Sequence, residues 1–298
     1  MNLINQSMSF KKIALGTAQF GMKYGISNKK DKPNPSSVFE ILKFAYDMGI
    51  SSLDTASTYG NSEKVIGDYL KNAKIEKWSI ITKYINSNQI KSLRDQLNNS
   101  SQNLGNAPMA VLAHSVSDYL NKNFFEQLQN LKKHNKVNKV GVSIYNPKDV
   151  ELVLKIGKPD IIQCPINILD TRLYRYGILD LLKSAGVEIH ARSIFLQGLF
   201  YLPIELIKKK YTDGAESIIA LNEIAKSGGL SLSELSLLWV SSLDSVDKIV
   251  IGVDNLEQLK RHKETLQKDI DKSIFVNAIK VIYENEKILN PSLWPVIS

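Results

Sequence analysis

The sequence is poor in cysteine and has no long apolar run. Cys164 is the only cysteine among 298 residues, so an internal disulfide is excluded and the composition fits a reducing compartment. No segment reaches the roughly 18 uninterrupted apolar residues of a membrane span. The first 16 residues also lack the apolar core and small-residue cleavage site of a signal peptide. The sequence therefore predicts a cytoplasmic protein with no membrane partner.

Arginine is also scarce, with five residues against 33 lysines. The formal net charge is +8, but the lysines stand in ones and twos, and residues 208–210 form their longest run. Proteins that bind nucleic acids usually cluster arginine and aromatic residues on one face. The composition therefore predicts a solvated lysine-rich surface and no nucleic-acid partner, although a positive field can speed the approach of an anionic substrate or cofactor.

The sequence indicates no metal site. The four histidines lack ligand spacing with one another and with Cys164. They are His114, His134, His190 and His262.

Eight short β-branched or apolar segments alternate with segments of helical spacing. The predicted strands cover residues 12–15, 50–54, 78–82, 109–114, 139–144, 160–166, 187–193 and 248–252. The predicted helices cover residues 36–49, 61–73, 123–135, 147–157, 176–186, 216–229, 230–243 and 255–267. A repeat of about 30 residues without a linker rich in Gly, Pro or Ser favours a closed (β/α)8 TIM barrel over an open sheet.

The barrel is predicted to occupy residues 1–298 as a single domain, because a chain of this length with 43% hydrophobic side chains can bury one large core. Residues 1–9 are predicted to be flexible, and residues 266–298 to form a C-terminal helix and tail. The seventh unit is oversized, with two helices predicted between Leu202 and Val246.

Four titratable residues lie at or after the carboxyl ends of three adjacent predicted strands. Asp54 ends the second strand and Tyr59 follows it. Lys83 ends the third strand and His114 the fourth. Taken singly, each has an ordinary structural explanation, such as a capping carboxylate or a packed tyrosine. In a TIM barrel, however, the strand ends and the loops after them form the active site, so these side chains are expected to converge.

Together the four residues predict a proton-transfer unit. A tyrosine has a reference pKa of about 10 and is a poor acid at neutral pH. A Lys83 ammonium held in place by Asp54 is expected to lower the pKa of the Tyr59 phenol. The phenol can then donate a proton to a developing alkoxide, while an N–H of His114 directs the carbonyl oxygen.

The stretch DTASTYGNSEKVIG, residues 54–67, resembles the aldo-keto reductase family position for position. The resemblance continues through LGTAQFG, GVSIYNP, IIQCPIN, RSIFLQGLF and IVIGVDNLEQLKRH, and it covers residues 10–265. The segments GTAQFGMKYGI and FLQGL are most similar to a bacterial branch of the family that is found in surface-polysaccharide gene clusters. The resemblance implies Tyr59 as general acid, tuned by Lys83 and Asp54, with His114 orienting the substrate carbonyl.

The resemblance also implies a nicotinamide cofactor across the barrel mouth. The residues implied to bind it are Thr17, Ser143, Gln163, Arg192, Ser193, Leu196, Gly198, Gly252, Asp254, Gln258 and His262. Ser143 and Gln163 match residues that hold the carboxamide, although Ile144 stands where the family usually has an asparagine. Arg192 stands where the family usually stacks a tyrosine under the nicotinamide ring.

The last predicted strand runs into a helix N-terminus, a geometry suited to a phosphate. By resemblance the cofactor is NADPH, with NADH possible. Asp254 weakens the preference for NADPH, because a carboxylate repels a 2′-phosphate but accepts hydrogen bonds from a free ribose hydroxyl. The cluster Lys260, Arg261 and His262 follows closely enough to fold back toward a phosphate. The sequence therefore predicts unusually small discrimination between the two cofactors.

The substrate pocket is the least specified part. Its candidate walls are Phe20, Met22, Tyr24, Tyr84 and Trp294, although aromatic residues near a barrel rim often only pack. The sequence predicts an NAD(P)H-dependent oxidoreductase that reduces a small aldehyde, ketone or sugar carbonyl, or catalyses the reverse reaction. Two alternatives stay open. One is a catalytically weak regulatory member of the same fold that senses nicotinamide redox state, and the other is a phosphate-binding barrel isomerase or aldolase.

Overall fold

Eight parallel strands pair in sequential order and close into a barrel. The computed structural model describes residues 10–28, 31–73, 77–86 and 92–294. The strands are β1 (Ile13–Gly16), β2 (Ser52–Asp54), β3 (Ser79–Tyr84), β4 (Ala110–Ala113), β5 (Lys139–Ser143), β6 (Ile161–Pro165), β7 (Glu188–Arg192) and β8 (Lys248–Gly252). The prediction of a (β/α)8 TIM barrel is confirmed. Residues 1–9, predicted to be flexible, lie outside the described residues.

Ten helices of seven or more residues lie in the described part of the chain. They are α1 (Pro35–Asp47), α2 (Ser62–Asn72), α3 (Leu93–Leu104), α4 (Lys122–Lys133), α5 (Asp149–Ile156), α6 (Ile178–Ser184), α7 (Ile204–Lys210), α8 (Thr212–Ser227), α9 (Leu232–Ser241) and α10 (Leu256–Leu266). Shorter α-helices are Ala18–Gly21, Val116–Leu120, Arg172–Arg175, Ser273–Ala278 and Glu286–Leu289. Single 3₁₀ segments are Phe10–Lys12, Leu196–Tyr201 and Pro291–Leu293.

Three helical regions differ from the sequence prediction. Helix α3 was not predicted, because its 12 residues contain only three leucines among polar side chains that favour caps and turns. Ser92 caps it by accepting the N–H of Asp95, and packing buries Leu97 and Leu104. The seventh unit holds three helices, α7 to α9, instead of two. The C-terminal segment, as far as it is described, forms two short helices instead of one.

The barrel separates two apolar regions. The larger core lies between the strands and the surrounding helices. A small cluster of Ile81, Ala110, Leu112 and Ile161 fills the inside of the barrel. Because side chains alternate along a strand, the inward face of β3 carries Ile81 in this cluster and Lys83 above it. The apolar cluster thus forms the floor on which polar residues at the strand ends are placed.

Helices α2 and α3 approach each other closely at Gly67. A Cβ atom added at this glycine would lie 1.9 Å from the backbone oxygen of Asn103 and 3.0 Å from Cα of Leu104. Such distances require backbone movement, so only a residue without a side chain allows this helix pair to pack as it does. Helix α2 begins three residues after Tyr59, and its position therefore influences the barrel mouth.

We expect Gly67→Ala to lower the free energy of unfolding by about 1–3 kcal/mol, the usual cost of overpacking a close contact. Urea unfolding followed by circular dichroism measures this change. Lys64→Ala, on the exposed side of the same helix, serves as the matched control and should change stability by no more than about 0.5 kcal/mol. Equal effects of the two substitutions would contradict the close helix contact.

Candidate active site

A cavity opens at the carboxyl ends of the strands. Fourteen of the site residues predicted from the sequence line it: Thr17, Tyr24, Asp54, Tyr59, Lys83, His114, Ser143, Gln163, Arg192, Ser193, Gly198, Gly252, Asp254 and Gln258. All four residues predicted to be catalytic are therefore brought together in one cavity.

A buried ion pair lies at the base of this cavity. The Lys83 ammonium donates to Oδ1 of Asp54 at 2.5 Å, and the two side chains are only 1% and 5% exposed. Lys83 also donates to the backbone oxygen of Thr55 at 2.8 Å. The second carboxylate oxygen of Asp54 accepts from Nε2 of Gln163 at 2.7 Å. Each charge is thus both paired and hydrogen-bonded, the condition under which charges are tolerated in a protein interior.

Tyr59 lies above this pair, with the Lys83 ammonium 5.1 Å from its ring centroid. Burial raises the pKa of the Tyr59 phenol, Asp54 raises it further, and Arg192 opposes the rise in part. The expectation that Tyr59 has a lowered pKa beside Lys83 is therefore wrong. The physical reason is that the ammonium is paired with Asp54, so its charge is offset while the phenolate would be desolvated. Tyr59 is protonated at neutral pH.

The turn that carries Tyr59 is fixed by backbone contacts between two loops. Gly21 approaches it so closely that an added Cβ would lie 1.8 Å from the backbone oxygen of Tyr59. Gly60 has φ +56°, and its own Cβ would lie 2.3 Å from the backbone oxygen of Gly21. Thr17 joins the same contact, since its N–H and hydroxyl both bond the backbone oxygen of Asp54 at 3.0 Å. The loops after β1 and β2 thereby fix the backbone of the turn that carries Tyr59.

His114 begins the loop directly after β4, and its ring meets the Tyr59 ring edge-on at a centroid distance of 5.8 Å. Burial lowers the pKa of His114 to about 4, and the charge of Lys83 adds to this effect. The imidazole is therefore neutral at pH 7. Its Nδ1 lies 3.2 Å from the hydroxyl of Thr58. The tautomer in which Nδ1 accepts from Thr58 carries its proton on Nε2, which can then donate to a substrate oxygen.

Arg192 lies across the mouth from these residues, at the end of β7. Its guanidinium donates to the hydroxyls of Ser143 at 3.3 Å and Ser193 at 3.0 Å, and to the backbone oxygen of Ile144 at 2.8 Å. Its Cζ lies 4.0 Å from the ring centroid of Tyr145, so one face of the guanidinium is stacked on an aromatic ring. The side chain is therefore held in a defined orientation.

The loop after β7 is conformationally strained. Ser193, Leu196 and Gln197 have φ of +58°, +47° and +51°, and Gly198 has φ +94°. Left-handed backbone at non-glycine residues costs about 1–3 kcal/mol each and clusters at ligand clamps. The backbone oxygen of Gln197 accepts from the N–H of Ile26 at 2.9 Å, which joins this loop to the loop after β1.

The opposite end of the cavity is formed where β8 runs into helix α10. Asn255 caps the helix by accepting the N–H of Gln258 at 2.9 Å. Oε1 of Gln258 accepts the N–H of Asp254 at 2.7 Å. Two of the N–H groups near this terminus are therefore already bonded by the chain's own side chains. Burial raises the pKa of Asp254.

Two residues that the resemblance assigned to the cofactor do not line the cavity. Leu196 is completely buried in the apolar core. His262 is 6% exposed and lies behind Phe195, with the two rings stacked at 4.8 Å. Its neighbours Lys260 and Arg261 are exposed on α10 and do not line the cavity either. Helical geometry distributes these three consecutive residues around α10, so they do not form a cluster facing a phosphate.

Of the predicted substrate walls, only Tyr24 lines the cavity. Tyr84 is completely buried on the outer face of β3, because it follows the inward-facing Lys83 and adjacent side chains point to opposite faces. Phe20 is 1% exposed in the main core. Trp294 packs against Tyr211 at a centroid distance of 5.1 Å and is not part of the cavity lining. Met22 is exposed to solvent and lies outside the cavity lining.

Several lining residues were not singled out from the sequence: Gln19, Ser27, Tyr145, Phe195, Gln197 and Tyr201. Tyr145 follows the end of β5, so the rule that identified Asp54 and His114 could have found it. Ser27 and Tyr201 have no such signal, because loop packing alone brings them to the mouth.

Within the described residues, no group of three or more His, Cys, Asp and Glu side chains is arranged to hold a metal ion. The same part of the chain contains no helix that is both long and apolar enough to cross a bilayer.

We expect Lys83→Met to lower the free energy of unfolding by about 3–5 kcal/mol, because it leaves the Asp54 carboxylate buried without its counterion. The double variant Lys83→Met with Asp54→Asn should recover much of this loss, since both charges are then removed. Urea unfolding of Lys83→Met, of Asp54→Asn and of the double variant gives the coupling energy between the two side chains. Lys43→Met, in an exposed pair with Asp47, is the matched control and should cost no more than about 1 kcal/mol.

Comparison with known proteins agrees with this geometry. A profile of the Aldo/keto reductase family matches residues 12–283. L-glyceraldehyde 3-phosphate reductase of Escherichia coli K12 is 28% identical, with 76% of this chain and 78% of that protein covered. Among solved structures, aldo-keto reductase AKR11C1 from Bacillus halodurans in its holo form has a TM-score of 0.73 at 20% identity, covering 93% of this chain and 95% of that chain. Glycerol dehydrogenase AKR11B4 from Gluconobacter oxydans has a TM-score of 0.69 at 18% identity, covering 91% and 90%.

The two structural likenesses show a shared fold, and the profile match extends over most of the chain. The chain therefore belongs to the aldo/keto reductase family and is an NAD(P)H-dependent oxidoreductase.

Proposed function

We propose that this protein reduces the carbonyl group of a small aldehyde, ketone or sugar, with Tyr59 as the general acid. The observation that carries this proposal is the protonated phenol of Tyr59 in the same cavity as a neutral His114 and the Lys83–Asp54 ion pair. A general acid must still hold its proton when the substrate arrives. The raised pKa of the Tyr59 phenol meets this condition.

The residues at the ends of β5 and β6 suit the carboxamide of a nicotinamide. Ser143 and Gln163 are register partners on adjacent strands. Because Nε2 of Gln163 donates to Asp54, its Oε1 remains to accept from an amide nitrogen. The hydroxyl of Ser143 can donate to an amide oxygen. This pair of opposite hydrogen-bonding groups matches a primary amide, and a bound reduced nicotinamide supplies a hydride to the carbonyl carbon.

Two side chains then act on the carbonyl oxygen, and two more support them. His114 orients it through Nε2–H, and Tyr59 transfers its phenolic proton as negative charge develops there. Lys83 stabilises the phenolate that remains. Its ammonium is already in place, so this stabilisation requires no reorganisation. Asp54 keeps Lys83 oriented through the 2.5 Å ion pair. Each group is positioned before the substrate binds, and this reduces the reorganisation required in the transition state.

The family and a relative support the proposed substrate class. The similarity to L-glyceraldehyde 3-phosphate reductase supports a small aldehyde or sugar carbonyl as the substrate of this chain. A cytoplasmic location is also proposed, because the single cysteine, Cys164, is completely buried and does not depend on an oxidising compartment.

NADPH is the proposed cofactor, with NADH accepted almost as well. Asp254 lines the cavity at its far end, and its carboxylate would repel a 2′-phosphate. The cations that could offset this repulsion are turned away, since Arg261 is 73% exposed and lies near Glu257 at 3.7 Å. These contacts support a small discrimination between the two cofactors.

We expect Tyr59→Phe to lower kcat by about 10² or more, the contribution of a general acid, while the cofactor Kd changes little. Steady-state assays with a panel of simple aldehydes, together with fluorescence titration of the cofactor, measure both quantities. Tyr174→Phe, an exposed phenol on the outside of the barrel, is the matched control. Retention of wild-type turnover by Tyr59→Phe would remove Tyr59 from the mechanism.

We expect the wild-type Kd values for NADPH and NADH to differ by no more than about tenfold, or about 1.4 kcal/mol. Asp254→Ser should shift the preference toward NADPH, because it removes the repulsive carboxylate. Fluorescence titration with both cofactors gives the ratio, and Asp269→Ser, which removes an exposed carboxylate outside the cavity, controls for net charge. A thousandfold wild-type preference for NADPH would mean that Asp254 does not face the ribose.

A further inference from the structure

Arg192 carries a charge that no described residue neutralises. The other arginines that are buried or half-buried are paired with carboxylates, Arg172 with Asp170 and Arg175 with Glu284. Within the described residues, Arg192 instead contacts two hydroxyls, one backbone oxygen and the Tyr145 ring. Burying part of a cation without a counterion costs folding free energy. The guanidinium therefore gives this side of the cavity a net positive charge.

The remaining charges near the catalytic residues cancel. Lys83 and Asp54 form a pair with no net charge, and His114 is neutral at pH 7 because burial lowers its pKa. Asp254 lies at the other end of the cavity, beside Gln258. Burial alone raises the pKa of its carboxyl, without an opposing effect of Arg192. The charge of Arg192 is consequently not offset where the reaction takes place.

The position of Arg192 relative to the catalytic residues determines which part of a bound cofactor lies next to its charge. On the proposed function, the substrate carbonyl is held by Tyr59 and His114, which follow β2 and β4. Arg192 ends β7, which lies across the barrel from β3, and Ser143 and Gln163 end β5 and β6, between β4 and β7. Hydride transfer requires direct contact between the ring and the carbonyl carbon. The ring must therefore lie between the two groups of residues, with the substrate on one side and the Arg192 side of the mouth on the other.

We propose that Arg192 makes this protein bind the reduced nicotinamide cofactor more tightly than the oxidised one. In the reaction, hydride, which is two electrons and a proton, passes to the carbonyl carbon while the Tyr59 proton goes to the oxygen. A neutral ring thereby becomes a cation. The guanidinium repels this cation and not the neutral ring, since like charges in a partly buried site interact strongly.

The contacts of Arg192 prevent its guanidinium from moving away from the oxidised ring. Its hydrogen bonds to Ser143, Ser193 and Ile144 and its stacking on Tyr145 hold the guanidinium in place. Arginine also keeps its charge at all accessible pH values. A thermodynamic cycle links binding to redox chemistry, so each tenfold preference for the reduced form raises the midpoint potential of the bound cofactor by about 30 mV. Oxidised cofactor should thus leave readily after carbonyl reduction.

The test compares Kd values of NADH and NAD⁺, and of NADPH and NADP⁺, by titration calorimetry on the 298-residue chain without substrate. In the wild type the reduced form should bind at least about tenfold more tightly, equivalent to about 1.4 kcal/mol. In Arg192→Gln, which keeps a hydrogen-bond donor and removes the charge, this ratio should fall by about tenfold through tighter binding of the oxidised form. Arg192→Lys keeps the charge and should retain most of the ratio.

Asp269→Ser is the matched control, because it removes an exposed carboxylate outside the cavity and should leave the reduced-to-oxidised ratio unaltered. Equal wild-type affinity for the two redox states overturns the proposal, whether or not the Arg192 variants fold. An equal loss of affinity for both states in Arg192→Gln also overturns it, since the guanidinium would then be binding the cofactor's phosphates or carboxamide.

The proposed function fails separately from this inference. A wild-type ratio that depends on Arg192, in a protein that turns over no carbonyl, would support the inference and reject the proposed catalysis, which leaves a redox-sensing protein. Carbonyl turnover that depends on Tyr59, with a ratio insensitive to Arg192, would support the proposed function and reject the inference. Failure to bind either redox state would reject both.

Discussion

The buried ion pair between Lys83 and Asp54 is the constraint on which the rest of the active site depends. Two charges that are almost completely inaccessible to water can coexist only when they neutralise each other and satisfy their remaining hydrogen bonds. The backbone oxygen of Thr55 and the amide of Gln163 supply those bonds. Strand β6 is thereby linked to β2 and β3 across the barrel, and the side-chain amide of Gln163 acquires a fixed orientation.

The same pair determines the protonation of the residues above it. Because the ammonium of Lys83 is offset by Asp54, it does not overcome the desolvation of the Tyr59 phenolate, and the pKa of the phenol is raised. Burial also keeps His114 neutral. The catalytic side of the mouth therefore has no net charge, and its proton donor, Tyr59, is protonated. The only uncompensated cation at the described mouth is Arg192, which gives the cavity an electrostatic asymmetry between its two sides.

The periodicity of the sequence was sufficient to predict the barrel and the strand ends. Short apolar strand segments alternate with segments of helical spacing, and the connections between them are short. Few architectures are compatible with this pattern. Asp54, Lys83 and His114 could be located because strand ends in such a barrel share one mouth. Helix α3 escaped prediction because its polar composition resembles that of a loop, and its stability comes from packing Leu97 and Leu104 against neighbouring elements.

The sequence by itself determined which residue types stand at the barrel mouth, since strand position follows from local pattern. Only the tertiary structure decided which way the side chains point. Lys83 and Tyr84 are neighbours, yet one lies in the cavity and the other in the outer core, because strand register selects which alternate face meets the barrel axis. His262 similarly lies behind Phe195 because the rotation of α10 against the barrel turns it inward. Whether an arginine is paired with a carboxylate also depends on contacts distant in sequence, and this is the difference between Arg192 and the paired arginines.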